Sequence, residues 1–144
     1  MTSSSQVLAR WLSYAGVLPP WLALLVSSQL PDGWAAFAAL SYGAVIASFV
    51  CGMHWASFMA ARTPLPTNLL ITSNVAALAV WALVLASFSS INLAFAGLVV
   101  VLAALLLIDR QLRATNAIEP WFWHVRRNAS LGLGAGLLVW SIIA

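Results

Sequence analysis

Charged side chains are scarce in this chain, and lysine is missing from it altogether. Only 6% of the residues are charged, whereas 63% are hydrophobic and the mean hydropathy is +0.99. A soluble domain of 144 residues could not cover its surface with so little polarity, so the composition indicates a membrane protein with one domain. Without lysine or a basic run, the net charge of +3 favours contact with the lipid bilayer and predicts no nucleic-acid partner.

Familiar catalytic and redox motifs are missing as well. The single cysteine, Cys51, cannot form an internal disulfide. The sequence contains no glycine-rich phosphate loop, no serine-nucleophile motif, no carboxylate pair within an apolar segment and no Cys–Cys metal pair. Cys51 and His54 share one helical face, but this is weak support for a metal because buried cysteine usually packs as a small hydrophobe. The sequence therefore assigns no catalytic residue and no metal, and it leaves the cofactor unknown.

What the chain does contain is a series of apolar segments, each near the length of about 20 residues that a helix needs to cross a bilayer. They predict an all-α fold, a bundle of five transmembrane helices that forms one domain over residues 1–144. Pro19 and Pro20 predict a kink or break in the first helix, because they remove two amide donors and crowd the preceding turn. Asn116 and Glu119 have the spacing of a capping box at the start of the last helix. The predicted spans are about 7–30, 34–61, 66–88, 91–108 and 120–143.

Every basic residue lies on the same side of the bilayer when the chain is threaded through these spans. Arginine is retained in the cytoplasm during insertion, so we expect the N-terminus inside and the C-terminus outside. Asp32 is the ionisable side chain expected on the opposite face. The pattern predicts a multi-pass protein of the bacterial cytoplasmic (inner) membrane. The arginines are Arg10, Arg62, Arg110, Arg113, Arg126 and Arg127.

Small residues recur at every fourth position of the second segment. This small-xxx-small pattern lets helix backbones approach closely, so it predicts a helix-packing surface, either within the chain or in a homodimer. His54 lies two positions from Gly52, about 200° around a helix, and is expected to project away from this surface. The small-residue stripe consists of Ala44, Ser48, Gly52, Ala56 and Ala60.

Polar groups concentrate at the predicted cytoplasmic ends of the helices, and His54 is the most informative of them. It lies about two turns inside the second span, where an ionisable residue is a functional candidate by default. The alternative is a neutral imidazole that ties helices together through one hydrogen bond, and the sequence weighs the two equally. Asp109 is expected to pair with Arg113 one turn on, or with Arg126 across the connection. Haem ligation by His54 and His124 is a minor alternative.

A family resemblance covers about residues 13–130, and its most specific element is Gly52-Met53-His54-Trp55. The other stretches that carry it are Tyr14 to Pro19, Tyr42 to Phe49, Asp109-Arg110, Trp121-Phe122 and Arg126. Together they resemble the family catalogued as domain of unknown function 3429, which includes the mitochondrial transmembrane protein 69. The resemblance implies a small multi-span protein of a bacterial or mitochondrial inner membrane, without an established activity. The candidate ligand-binding residues that it implies are Tyr14, His54, Trp55, Asp109, Trp121 and Arg126.

Three classes of function fit these observations. The first is a non-catalytic component or assembly partner of a larger membrane complex, which the small-residue stripe and the missing catalytic motifs favour. The second is a binder or carrier of a hydrophobic small molecule (haem, a quinone or a lipid) at a cytoplasmic-side pocket near His54. The third is an enzyme that uses His54 and Asp109 for proton transfer. We rank them in this order, so the sequence weighs against an enzyme.

Overall fold

The computed structural model describes residues 3–144, and all regular secondary structure within them is helical. This confirms the prediction of an all-α fold. A short 3-10 turn, Ser27–Gln29, follows the second helix. The six α-helices are α1 (Ser3–Ala15), α2 (Leu18–Val26), α3 (Trp34–Ala60), α4 (Leu69–Ala86), α5 (Ile91–Ala114) and α6 (Pro120–Ile143).

The first span is interrupted between α1 and α2, at residues 16–17. Pro19 and Pro20 follow directly and lie in the first turn of α2, where a missing amide leaves no helical hydrogen bond unmade. In a continuous helix, the carbonyl of Gly16 would have bonded the amide at position 20, which proline lacks. This carbonyl instead accepts a hydrogen bond from the hydroxyl of Tyr42 at 2.8 Å. The predicted interruption is present, and α3 supplies the partner that it needs.

Helix α3 lies at the centre of the bundle, packed along α4 and against α2, α5 and α6, while α5 and α6 pack along each other. Far from the loop that joins α5 to α6, Phe95 stacks on Trp140 with ring centroids 5.8 Å apart. The indole N–H of Trp140 donates to the carbonyl of Pro20 at 3.0 Å, which ties α2 to α6. The core-facing residues of α3 recur at three- and four-residue spacing and include Leu40, Gly43, Ala47, Val50 and His54.

Four helical segments among residues 3–144 are long and apolar enough to cross a membrane: Ser3–Gln29, Trp34–Ala60, Leu69–Ala86 and Ile91–Ala114. They correspond to the first four predicted spans, although α5 continues six residues beyond the predicted end at 108. Helix α6 has 24 residues, but its first turns carry two arginines and its middle three glycines, so it is less apolar than the others. That α6 is a fifth span stays a prediction.

The predicted capping box before α6 is wrong. Asn116 has a positive φ of 56° and closes α5. The amide of Asn116 bonds the carbonyl of Arg113 at 3.1 Å, and the amide of Ala117 bonds the carbonyl of Leu112 at 2.8 Å. This pair of bonds is the Schellman motif, which asparagine can form because its left-handed conformation costs little. Glu119 precedes α6 but caps no backbone amide with its side chain.

Most of the small-residue stripe faces outwards. Ala44 is buried, but Ser48, Gly52 and Ala56 are exposed, and a methyl group added at Gly52 would meet no atom within 4 Å. The glycine of α3 that permits close packing is Gly43, where an added methyl group would lie 2.8 Å from the side chain of Leu98. Helix packing through the exposed part of the stripe therefore stays a prediction, and it concerns contacts outside this chain.

Candidate ligand-binding site

The buried residues His54 and Asp109 and the partly buried Arg126 come together near one end of the bundle. They lie on α3, α5 and α6, each about 7–9 Å from the helix end that is nearest to the α5–α6 connection, at 1.5 Å per residue. Asp109 belongs to a run of buried α5 positions at four- and three-residue spacing: Leu98, Leu102, Leu105, Asp109 and Leu112. The same periodicity that buries the leucines of α5 therefore directs the carboxylate inwards.

The Asp109 carboxylate is the hub of this cluster. Its Oδ1 lies 2.9 Å from Nε2 of His54, while its Oδ2 accepts from Nε of Arg126 at 3.1 Å and from Nη2 at 2.8 Å. His54 and Asp109 are 1% and 2% exposed, and the side chain of Arg126 is 12% exposed. Both carboxylate oxygens thus have cationic or N–H partners, as a buried anion requires. We call these three residues the charge cluster.

The two nitrogens of the His54 ring have different surroundings. Nε2 faces a carboxylate, so it carries the proton and donates to Asp109. Nδ1 is buried and has no hydrogen-bond partner among residues 3–144. Within the described residues, His54 is therefore tied to α5 through Nε2 alone.

Arg126 keeps hydrogen-bonding capacity beyond its bond to Asp109. A guanidinium has five N–H donors, and the two bonds to Oδ2 use the one on Nε and one on Nη2. Both N–H groups of Nη1 and the second of Nη2 make no hydrogen bond within residues 3–144. The edge formed by Nη1 and Nη2 is the fork that binds acceptor oxygens side by side.

Arg126 lies on the wall of a cavity of about 420 Å³ that is bounded by α1, α3, α5 and α6. We call this cavity the chamber. Its size falls in the range of about 300–1,000 Å³ that is typical of small-molecule sites. Among residues 3–144, Arg126 is the only ionisable residue that lines it, and most of the wall is apolar. The other lining residues are Ala9, Leu12, Ser13, Gly16, Val17, Ile46, Phe49, Val50, Met53, Leu102, Phe122, Ala129, Ser130 and Leu133.

The charged group of the chamber wall lies towards one end of the bundle. Arg126 lies towards the loop end of α6, whereas Leu133 is seven residues further along, a distance of about 10 Å. Leu102 is the same number of residues from Asp109 on α5, and Ile46 from Met53 on α3. A molecule with a polar head near Arg126 would extend its apolar part towards the middle of the bundle.

Three residues of the predicted set lie outside the charge cluster and do not line the chamber. Tyr14 is 40% exposed and Trp55 is 42% exposed. Trp121 packs edge-on against Phe122 and donates its indole N–H to the Glu119 carboxylate at 2.6 Å. Of the two partners predicted for Asp109, the structure has Arg126, whereas Arg113 donates to Asn116 at 3.0 Å.

The sequence analysis expected a pocket near His54, but of its candidate residues only Arg126 lines the chamber. Its α6 wall consists of Phe122, Arg126, Ala129, Ser130 and Leu133, at the three- and four-residue spacing of one helical face. That spacing could have predicted this part of the wall from sequence, because it places an arginine and small residues on one face of α6. His124 is exposed on another face. Among residues 3–144, no three His, Cys, Asp or Glu side chains gather as a metal would need.

A family profile described as a protein of unknown function, DUF3429, matches residues 5–142 of the chain. The chain belongs to this family. The resemblance to the DUF3429 family is thereby confirmed, whereas the relationship to the mitochondrial transmembrane protein 69 stays a prediction. Comparison with curated proteins and with solved structures gives no match. Since the description of the DUF3429 family assigns no activity, a functional proposal has to rest on the geometry of the site.

The charge cluster predicts that Asp109→Asn strongly destabilises the fold. An asparagine leaves the buried Arg126 without its counter-charge, and breaking a buried ion pair in this way costs about 3–5 kcal/mol. The neighbouring change Arg110→Gln, on the exposed side of α5, should cost no more than about 0.5 kcal/mol. Unfolding in mixed detergent–SDS micelles, followed by tryptophan fluorescence, measures both. An equal loss of unfolding free energy in the two variants would show that the charge cluster does not stabilise the bundle.

Proposed function

We propose that this protein is a five-span membrane protein that binds an amphipathic small molecule in the chamber. The observation that carries the proposal is the position of Arg126, the one ionisable residue on the wall of an otherwise largely apolar cavity of about 420 Å³. Small-molecule sites have this composition, a mostly apolar lining with a few convergent polar groups. The geometry thus favours the second of the three sequence-based hypotheses over the first.

Asp109 holds the Arg126 side chain in place through two hydrogen bonds to one oxygen, and His54 holds the other oxygen. In this proposal the three residues form a rigid support that presents the free guanidinium edge of Arg126 to a bound head group. The role of His54 and Asp109 is then positioning. The geometry gives less support to proton transfer, because Asp109 is 2% exposed and both of its oxygens already accept hydrogen bonds.

A second candidate function is that of a component or assembly partner of a membrane complex. The exposed part of the small-residue stripe favours it, since Ser48, Gly52 and Ala56 present a shallow surface on α3 that no helix of this chain covers. Such a surface suits a closely packed transmembrane helix of another subunit. The two functions are compatible, because the stripe and the chamber involve different residues.

The ligand proposal predicts that filling the chamber releases the bound molecule. Ala129 lines the chamber, so Ala129→Phe should reduce ligand occupancy by about tenfold or more, which corresponds to about 1.4 kcal/mol. Ala104→Phe, on the exposed surface of α5, is the matched control. Each protein is gently extracted from its own membrane, and its bound small molecules are measured by native mass spectrometry and absorption. The same occupancy in both variants, or none in the wild type, would contradict the proposal.

The assembly proposal predicts that Gly52→Leu abolishes association with other membrane proteins while the fold persists. A Cβ atom added at Gly52 lies in open space beside residues 3–144, whereas a leucine there blocks the approach of an outside helix. Gly43→Leu is the contrasting variant. It is expected to lower the free energy of unfolding by about 1–3 kcal/mol, because the new side chain overpacks against Leu98. Co-purification and subunit mass spectrometry measure the association. If Gly52→Leu still carries its wild-type partners, the stripe is not the interface.

We further propose a bacterial cytoplasmic-membrane location with the N-terminus inside, based on the arginines at one end of the bundle. A membrane-impermeant maleimide applied to intact cells should label Asp32→Cys, in the α2–α3 turn, and not Thr63→Cys, in the α3–α4 connection. Both positions are exposed, and the native Cys51 is buried. Inside-out vesicles should give the reverse pattern. External labelling of Thr63→Cys would contradict the orientation.

A further inference from the structure

We infer that the chamber selects an uncharged amphiphile whose head group offers carbonyl oxygens, and that it discriminates against anionic amphiphiles. This inference rests on the binding function proposed above, and it names the chemical class of the ligand. Carbonyl-bearing heads of this kind occur in esters and in quinones. Two observations carry it: the ion pair that Arg126 already makes with Asp109, and the uncommitted donors of Arg126.

The charge cluster is already balanced before any ligand binds. Arg126 contributes one positive charge, and Asp109 contributes one negative charge at 2.8 Å from it. The remaining residues that line the chamber carry no charge. An amphiphile with a carboxylate head would therefore add an unbalanced negative charge to a site in which Asp109 and His54 are almost completely buried. Burying an ion without a counter-ion is strongly unfavourable in an apolar environment.

The imidazole of His54 takes no part in the chamber wall. Its Nε2 lies 2.9 Å from Oδ1 of Asp109, and its Nδ1 is buried without a hydrogen-bond partner among residues 3–144. A carboxylate head group would therefore meet Arg126 as its charged partner on the wall, and Arg126 is already paired with Asp109. The geometry thus favours a head group without a charge.

The uncommitted donors of Arg126 nonetheless require acceptor atoms on the ligand. Three of its N–H groups make no hydrogen bond within the described chain, and the Nη1–Nη2 edge presents two of them in parallel. A carbonyl oxygen accepts such hydrogen bonds without bringing a charge. A pure hydrocarbon would leave these donors unsatisfied, and an amine head would be repelled by the guanidinium. The chamber therefore favours a ligand that supplies hydrogen-bond acceptors to Arg126 and carries no charge.

The inference is tested by four probes on the unmodified protein in dodecyl maltoside micelles. Methyl palmitate, palmitate and hexadecane share a tail of the same length and differ in the head, and decylubiquinone carries quinone carbonyls. Equilibrium dialysis measures the binding of each, and the part that is lost in Ala129→Phe is assigned to the chamber. This subtraction removes simple partition of the probes into the micelle.

We expect chamber-dependent binding of methyl palmitate, decylubiquinone or both at least about tenfold tighter than that of palmitate and hexadecane. The ratio between methyl palmitate and decylubiquinone then identifies an ester or a quinone as the better source of the carbonyl. Palmitate binding as tightly as methyl palmitate, or hexadecane binding as tightly, would overturn the inference but leave the proposed binding function standing. If none of the four probes shows chamber-dependent binding, the proposed function fails with the inference.

Discussion

The Asp109 carboxylate is the constraint on which one end of this bundle depends. A carboxylate that is 2% exposed is tolerated only if its lone pairs are paired with donors, and preferably with a counter-charge. Here the donors come from two other helices, His54 on α3 and Arg126 on α6. The three helices are consequently fixed in register at this level. Helix packing by small residues and leucines alone would tolerate sliding or rotation more easily than this set of directional bonds.

Two long-range hydrogen bonds hold the broken first span against the rest of the bundle. The interruption before α2 leaves the carbonyl of Gly16 without a helical amide, and the hydroxyl of Tyr42 satisfies it. The indole of Trp140 donates to the carbonyl of Pro20 and ties α2 to α6. The break also separates α1 from the rest of the first span. Helix α1 has no buried residue of its own, yet Ala9, Leu12 and Ser13 form part of the chamber wall. The chamber is thus enclosed on one side by a helix that contributes little to the core.

Much of this architecture could be predicted from the sequence, because long apolar segments and prolines act locally. The positions of the first four spans, the interruption near Pro19 and Arg126 as one of the two expected partners of Asp109 followed from local sequence. The second partner of Asp109, His54, lies 55 residues away. The face of α3 that packs against the other helices could not be predicted from the sequence. Its small residues at positions 44, 48, 52 and 56 and its buried residues at 43, 47, 50 and 54 are both regular patterns. Only the position of neighbouring helices decides between them.

The wrong prediction of a capping box and the unlocated chamber also depend on how helices extend and pack together. Asn116 and Glu119 have the spacing of a capping box, but the same asparagine is also well suited to the left-handed conformation that ends a helix, and α5 extends far enough to use it. The chamber could not be located from sequence because a cavity is a property of several helices at once. The face of α6 that lines the chamber could be recognised from its spacing, but the space that α6 shares with α1, α3 and α5 could not.

The size and lining of that space argue against a purely structural explanation of the charge cluster. The chamber is a half-open cleft of about 420 Å³, because Leu12 and Phe49, which line it, are also exposed on the surface of the bundle. Its wall combines large apolar side chains such as Phe49 and Phe122 with a small residue, Ala129, one turn from Arg126 on α6. Joining α3, α5 and α6 through the charge cluster does not require a cleft of this size beside the guanidinium. The cleft leaves room for a molecule whose polar end meets the guanidinium on the wall.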